Sequence, residues 1–133
     1  MRINETAAIV TGGASGLGEA TSRHFRQMGA DVTILDRDAS RGAAVAEDIG
    51  AGFAETDVTD ETSVRDAISA ARDHMGRITA AVNCAGIATG RKTLGKDGPH
   101  DLDAFRRTID INLVGTFNVA RLAASEIARN DPG

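Results

Sequence analysis

The chain contains no tyrosine, no tryptophan, one cysteine and two prolines. Without tyrosine, no phenol is available as a general acid or base. With Cys84 as the only thiol, no intrachain disulfide can form, which fits a reducing compartment such as the cytoplasm. No apolar run approaches the length of a membrane span. No basic segment followed by a long apolar stretch opens the chain, so no secretory signal and no membrane partner are expected. The net charge of −4, with no basic cluster set against it, argues against nucleic acid as a partner. His24, His74 and His100 lack metal-ligand spacing, and no metal is expected. A chain of 133 residues suits one domain with one modest core.

Glycine, by contrast, is abundant and grouped. Thr11-Gly12-Gly13-Ala14-Ser15-Gly16-Leu17-Gly18 follows an apolar run, Ala7 to Val10, that reads as a buried strand. It leads into Glu19-Ala20-Thr21-Ser22-Arg23-His24-Phe25, which reads as the start of a helix. A strand, a glycine turn and a helix N-terminus together form an anion site, because unpaired N–H groups and the positive end of the helix dipole face the ligand. Glycine lets the backbone turn tightly and approach a pyrophosphate. The spacing of Gly12, Gly16 and Gly18 is G-x-x-x-G-x-G rather than the commoner G-x-G-x-x-G; a plain strand-to-helix turn is the alternative, which the flanking elements disfavour.

The rest of the chain alternates regularly. A helix from Gly16 to Met28 ends at Gly29, and Asp31 to Leu35 reads as the second strand. Asp38 is placed to cap a helix to Ile49, closed by Gly50. Gly52 to Thr56 reads as the third strand. Thr59 or Asp60 caps a helix to Met75, with Val64, Ala67, Ile68, Ala71 and Met75 on one apolar stripe. Ile78 to Val82 reads as the fourth strand, Thr89 to His100 as a surface loop, and Asp101 to Arg129 as a long helical stretch before Asp131-Pro132-Gly133. Four strands alternating with helices predict an α/β, Rossmann-type, doubly wound parallel sheet of strand order 3-2-1-4. The ligand belongs at the carboxyl ends of strands one and four.

Several residues then fall at that ligand edge. Asp36 ends the second strand about 20 residues beyond the glycines, where a carboxylate accepts from both adenosine ribose hydroxyls and repels a 2′-phosphate, favouring NAD. Arg37 beside it is a possible phosphate partner. Asp57 and Val58 follow the third strand and can flank an adenine ring, or else form a helix cap with its apolar staple. Asn83-Cys84-Ala85-Gly86 follows the fourth strand, and its small residues let the backbone pass close to a cofactor. Cys84 has no neighbouring base or charge to activate it and reads as a buried structural thiol. Asn112, in Ile111-Asn112-Leu113-Val114-Gly115, sits with Gly115 inside the long helix. The pair predicts a local kink with a polar group facing the site; an exposed seam is the alternative.

Taken in order, these motifs resemble the short-chain dehydrogenase/reductase family. Thr11-Gly12-x-x-x-Gly16-x-Gly18 is similar to its cofactor motif, and Asn83-Cys84-Ala85-Gly86 to its Asn-Asn-Ala-Gly motif with Cys in place of the second Asn. Asn112 matches the helix asparagine that helps hold a proton-relay water. The Cys-Ala-Gly variant, and the extended loop before Asp110-Ile111-Asn112-Leu113-Val114-Gly115-Thr116-Phe117-Asn118-Val119, look like the type II 3-hydroxyacyl-CoA dehydrogenase group, which also includes the 17β-hydroxysteroid dehydrogenase type 10 proteins.

The resemblance implies NAD-dependent oxidation of a secondary alcohol on a small-molecule acyl-CoA substrate. It also implies NAD contacts from Ser15, Leu17, Asp36, Asp57, Val58 and Cys84. The family's catalytic Ser and its Tyr-x-x-x-Lys segment have no counterpart here. The resemblance therefore implies one NAD-binding domain over residues 1–133, the amino-terminal half of such an enzyme, inactive alone. Strands five to seven would be missing, leaving strand four as a bare edge. Leu102, Phe105, Ile109, Leu113 and Phe117 form one apolar stripe, and the resemblance implies that this helix packs against a partner subunit, giving a homo-oligomer in the full-length form. Two other readings stay open: a non-catalytic nucleotide-binding sensor, and an S-adenosylmethionine methyltransferase, which also pairs a glycine turn with an acid after strand two.

Overall fold

A computed structural model describes residues 1–132. After a single 3-10 turn at Ile3–Glu5, the chain alternates strand and helix: β1 (Ala7–Thr11), α1 (Gly16–Gln27), β2 (Asp31–Asp36), α2 (Ala39–Ile49), β3 (Gly52–Glu55), α3 (Glu61–Met75) and β4 (Ala80–Asn83). A two-stranded hairpin, β5 (Leu94–Gly95) and β6 (Gly98–Pro99), precedes α4 (Leu102–Ile109), a wider π-helical turn (Asp110–Gly115) and α5 (Thr116–Ile127).

The main sheet has the order β3-β2-β1-β4 and is parallel throughout. β1 is central, with Val10 opposite both Ile34 of β2 and Val82 of β4. Every residue of β1 is buried, as a parallel strand covered on both faces requires. Successive side chains point to opposite faces. Ile9 and Leu35 therefore join Val64, Ile68 and Val119 in one core under α3 and α5, while Val10, Val32 and Ile34 join Val45 in a second core under α2. Complete burial of each of these aliphatic side chains contributes about 1.5–3 kcal/mol relative to exposure.

The helix ends lie where the sequence places them. Asp38 Oδ1 accepts from Arg41 N–H at 3.0 Å, and Asp60 Oδ1 accepts from Ser63 N–H at 3.1 Å. Gly29, Gly50 and Gly76 follow the helices in left-handed backbone. The expected stripe on α3 packs inward, with Met75 at its partly buried margin.

One expectation needs correction. The segment Thr89–His100 is not wholly irregular: Leu94 pairs with Pro99 and Gly95 with Gly98, so the loop folds on itself as a short hairpin. The helical stretch after Asp101 widens into a π turn at Asp110–Gly115, the position where Asn112 and Gly115 predict a kink.

β4 forms one edge of the sheet, and its residues are only partly buried or exposed. Along the helices that follow, Leu102, Phe105, Ile109, Leu113 and Phe117 are 39–67% exposed, a large uncovered apolar face. No helix among the described residues is long and apolar enough to cross a membrane.

The Asp60 cap gives a direct check. Asp60→Ala is expected to lower the urea midpoint by the equivalent of about 1 kcal/mol with an unchanged slope. An unchanged midpoint would show that the cap contributes nothing to α3.

Candidate dinucleotide-binding site

The carboxyl ends of β1, β2, β3 and β4 open onto a cavity of about 370 Å³. Three loops form its walls. The glycine turn after β1 supplies Gly12, Ser15, Gly16 and Leu17. The ends of β2 and β3 supply Asp36, Arg37, Thr56, Asp57 and Val58. The exit of β4 supplies Cys84, Ala85, Gly86 and Ile87, and Ile111 reaches in from the π turn.

The first wall is an anion cradle. Glu19 N–H donates to Ser15 O at 3.1 Å, the first hydrogen bond of α1, so the preceding amides at Gly16 to Gly18 have no helical acceptor. Ser15 is the N-cap residue, yet its hydroxyl makes no capping bond. Leu17 projects outward at 82% exposure. Unused donors, an idle hydroxyl and the positive end of the helix dipole fit a bound phosphate or pyrophosphate.

Close backbone approach explains two of the glycines. A Cβ on Gly18 would run into Gly12 O, and one on Gly12 would lie 2.8 Å from Ala85 N. Gly12 also has φ +66, a conformation that L side chains rarely adopt. Gly18 therefore supports the cradle from inside α1 without lining the cavity.

The second wall is carboxylate-rich. Asp36 is half-buried at the cavity edge, its Oδ1 accepting from Asp38 N–H at 2.9 Å and its Oδ2 from Ala14 N–H at 3.0 Å. Asp57 is exposed at the rim and does not cap α3, a role that falls to Asp60. Its Oδ1 accepts from the Thr59 hydroxyl at 2.7 Å and from Thr59 N–H at 3.0 Å. The Thr59 hydroxyl, then its amide, hold the Asp57 carboxyl below its ordinary value, with a smaller contribution from the positive charge of Arg37. Val58 is buried beside it, with its carbonyl accepting from Asn118 Nδ2 at 2.9 Å.

At the third wall, Thr11 Oγ1 accepts from Cys84 N–H and Ala85 N–H, both at 3.2 Å, tying the exit of β4 to the end of β1. Asn83 pairs with Thr11 and is exposed, so it shapes the cavity without lining it. Cys84 is half-buried and faces the cavity rather than being an enclosed structural thiol, because it lies at the end of an edge strand.

Asn112 is exposed, and its amide bonds at both its oxygen and its nitrogen. Oδ1 accepts from Ile87 N–H at 2.8 Å, and Nδ2 donates to Ile87 O at 2.7 Å. It fixes the loop that carries Ile87 and does not itself line the cavity. The sequence does not mark Ile87 or Ile111 as cavity residues, although each adjoins a candidate site residue, Gly86 and Asn112 respectively. His24 and His74 lie on the surface. His100 is half-buried, with Nδ1 2.7 Å from Asp101 O. Among the described residues, no three His, Cys, Asp or Glu side chains group to hold a metal ion.

A parallel sheet of order 3-2-1-4 with a glycine-lined helix N-terminus at its switch point defines a Rossmann-type nucleotide fold. Residues 6–133 match the short chain dehydrogenase family, and the chain belongs to that family. It is 47% identical over 129 residues to the 3-hydroxyacyl-CoA dehydrogenase type-2 of Homo sapiens, covering 94% of this chain and 49% of the relative. Against the protein of the same name from Drosophila melanogaster, it is 45% identical over 134 residues, covering 98% of this chain and 52% of the relative. The crystal structure of 3-hydroxyacyl-CoA dehydrogenase type-2 from Mycobacterium avium superposes with a TM-score of 0.86 at 45% identity, over 96% of this chain and 51% of that one. The chain thus spans about half the length of the relatives it matches. Family and relatives imply a nicotinamide cofactor.

The Asp57 geometry sets a pH expectation. A carboxyl whose folded pKa is lowered contributes stability that is present above the ordinary value of 3.8 and is lost as pH falls through the folded value. Thr59→Val is expected to raise the Asp57 pKa, followed by carboxyl NMR titration. Any stability deficit of the variant that arises from this bond should close at low pH. An unmoved Asp57 titration would show that the hydroxyl is not its main support.

Proposed function

We propose that this chain is the NAD-binding part of a short-chain dehydrogenase that oxidises the secondary alcohol of a 3-hydroxyacyl-CoA to a ketone. The observation that carries the cofactor part is the convergence of a donor-rich helix N-terminus, Asp36 and a small-residue strand exit on one cavity. Gly12, Ser15, Gly16 and Leu17 would hold the pyrophosphate, with Gly18 behind them. Asp36 would hold the adenosine ribose, and Asp57 and Val58 the adenine. Cys84, Ala85 and Gly86 would pass along the nicotinamide half. When bound, NAD supplies a hydride acceptor. Asn112, through Ile87, orients the loop beside that half of the site. The likeness to the 3-hydroxyacyl-CoA dehydrogenases supports the substrate class.

Asp36 also supports NAD over NADP. A fixed carboxylate at the ribose would face a 2′-phosphate with like charge. The 133 residues contain no tyrosine, and on this ground we infer that the chain does not turn over alone. The same observation favours a second reading, a dinucleotide-binding module without catalysis. The lone thiol supports a reducing, cytoplasmic setting.

By fluorescence titration, NADH is expected to bind at least about tenfold more tightly than NADPH, a difference of about 1.4 kcal/mol. Equal affinities would overturn the NAD assignment, and binding of neither would overturn the cofactor reading. NADH-dependent reduction of acetoacetyl-CoA by the chain alone would contradict its inactivity. Absence of that activity in a full-length form would refute the substrate class.

The apolar face from Leu102 to Phe117 supports self-association. Sedimentation is expected to show dimers or larger species, and a stable, well-folded monomer at micromolar concentration would contradict this.

A further inference from the structure

We propose that the Asp36 carboxylate is a strut that holds the glycine loop in its anion-binding shape. It is thus a positioning residue for the phosphate end of the site as well as a contact for the ribose. The inference deepens the dinucleotide reading. It rests on that reading for its consequence in binding, and on the ligand-free geometry for the strut itself.

The glycine loop is anchored at both ends by backbone bonds. Gly12 N–H donates to Leu35 O at 2.8 Å at one end, and Glu19 N–H donates to Ser15 O at 3.1 Å at the other. Between them, Ala14 N–H donates to Asp36 Oδ2 at 3.0 Å. Ala14 is 1% exposed, so water cannot replace that acceptor without the loop moving. The other oxygen of the same carboxylate, Oδ1, accepts from Asp38 N–H at 2.9 Å. Each oxygen of Asp36 is therefore held by one backbone amide. Ala14 immediately precedes Ser15 and Gly16, which line the cavity. A displaced Ala14 would displace them.

This role reverses the sign of an electrostatic expectation. Removing a carboxylate near an anion site ordinarily strengthens anion binding, because a like charge has gone. If Asp36 is the strut, its removal weakens the binding of inorganic pyrophosphate, which has no ribose for Asp36 to hold.

The test uses the whole chain, as wild type, Asp36→Ala and Asp36→Asn. Amide hydrogen exchange is followed without ligand, and pyrophosphate binding by calorimetry. In Asp36→Ala, protection at the Ala14 amide is expected to fall about ten- to a hundredfold, as for loss of a hydrogen bond to a charged group, and pyrophosphate affinity to fall with it. Asp36→Asn keeps one acceptor oxygen for two amides, so protection is expected to fall at either Ala14 or Asp38 but not at both. It serves as the measured variant if Asp36→Ala does not fold. Unchanged protection at both amides, or pyrophosphate binding as tight as or tighter than wild type in Asp36→Ala, would overturn the strut. A wild-type chain that takes up neither NADH nor pyrophosphate would overturn the dinucleotide reading instead, and the exchange measurement would then decide the strut alone.

Discussion

The carbonyl of Gly12, the Cα of Gly18 and the amide of Ala85 occupy one small volume at the carboxyl end of β1. No side chain fits between them: a Cβ at either glycine would meet backbone atoms at or inside contact distance. This mutual approach lets α1 begin almost on top of β1, points its free amides at the cavity, and brings the exit of β4 alongside. Thr11 completes the junction through its hydroxyl, which receives the Cys84 and Ala85 amides. Enlarging any partner in that junction would spread β1, α1 and β4 apart and open the site at its base.

The remaining walls are set from further away. Asn118 is buried on α5 and reaches the carbonyl of Val58, while Asn112 on the π turn clasps the backbone of Ile87. One helical segment therefore touches both the side of the cavity that follows β3 and the side that follows β4. Gly115 lies between these two asparagines, against Val58, where a Cβ would approach the Val58 side chain to 2.6 Å. The widened turn allows both amides to find backbone partners at once. That is a physical reason for placing two asparagines and a glycine within an otherwise apolar stretch.

Much of this was legible in the sequence because its causes are local. Periodicity, caps and the acids after β2 and β3 located the elements, and the order 3-2-1-4 follows from the alternation. What escaped depends on partners distant in the chain. The hairpin at Leu94–Pro99 rests on only two backbone pairings and has no periodic signature. Cys84 reads as a buried thiol because nothing near it in sequence would activate it, whereas its partial exposure is decided by its place just beyond the end of an edge strand. Asn112 and one oxygen of Asp36 bond to backbone groups 25 and 22 positions away, which no local pattern announces. Ile87 and Ile111 are ordinary apolar residues, the first brought to the cavity wall beside the Asn112 tether and the second by packing against the core.

Membership of the short chain dehydrogenase family and the cavity at the switch point support the proposal that a nicotinamide dinucleotide lies across the carboxyl ends of β1 to β4. Mapping backbone amide NMR shifts while adding NADH tests it most directly. Shifts should concentrate at Ser15 to Gly18, at Asp36, at Val58 and at Ala85 to Ile87, with α3 and the amino ends of the strands unmoved. Shifts centred elsewhere on the chain, or none at saturating NADH, would contradict the assignment of this cavity.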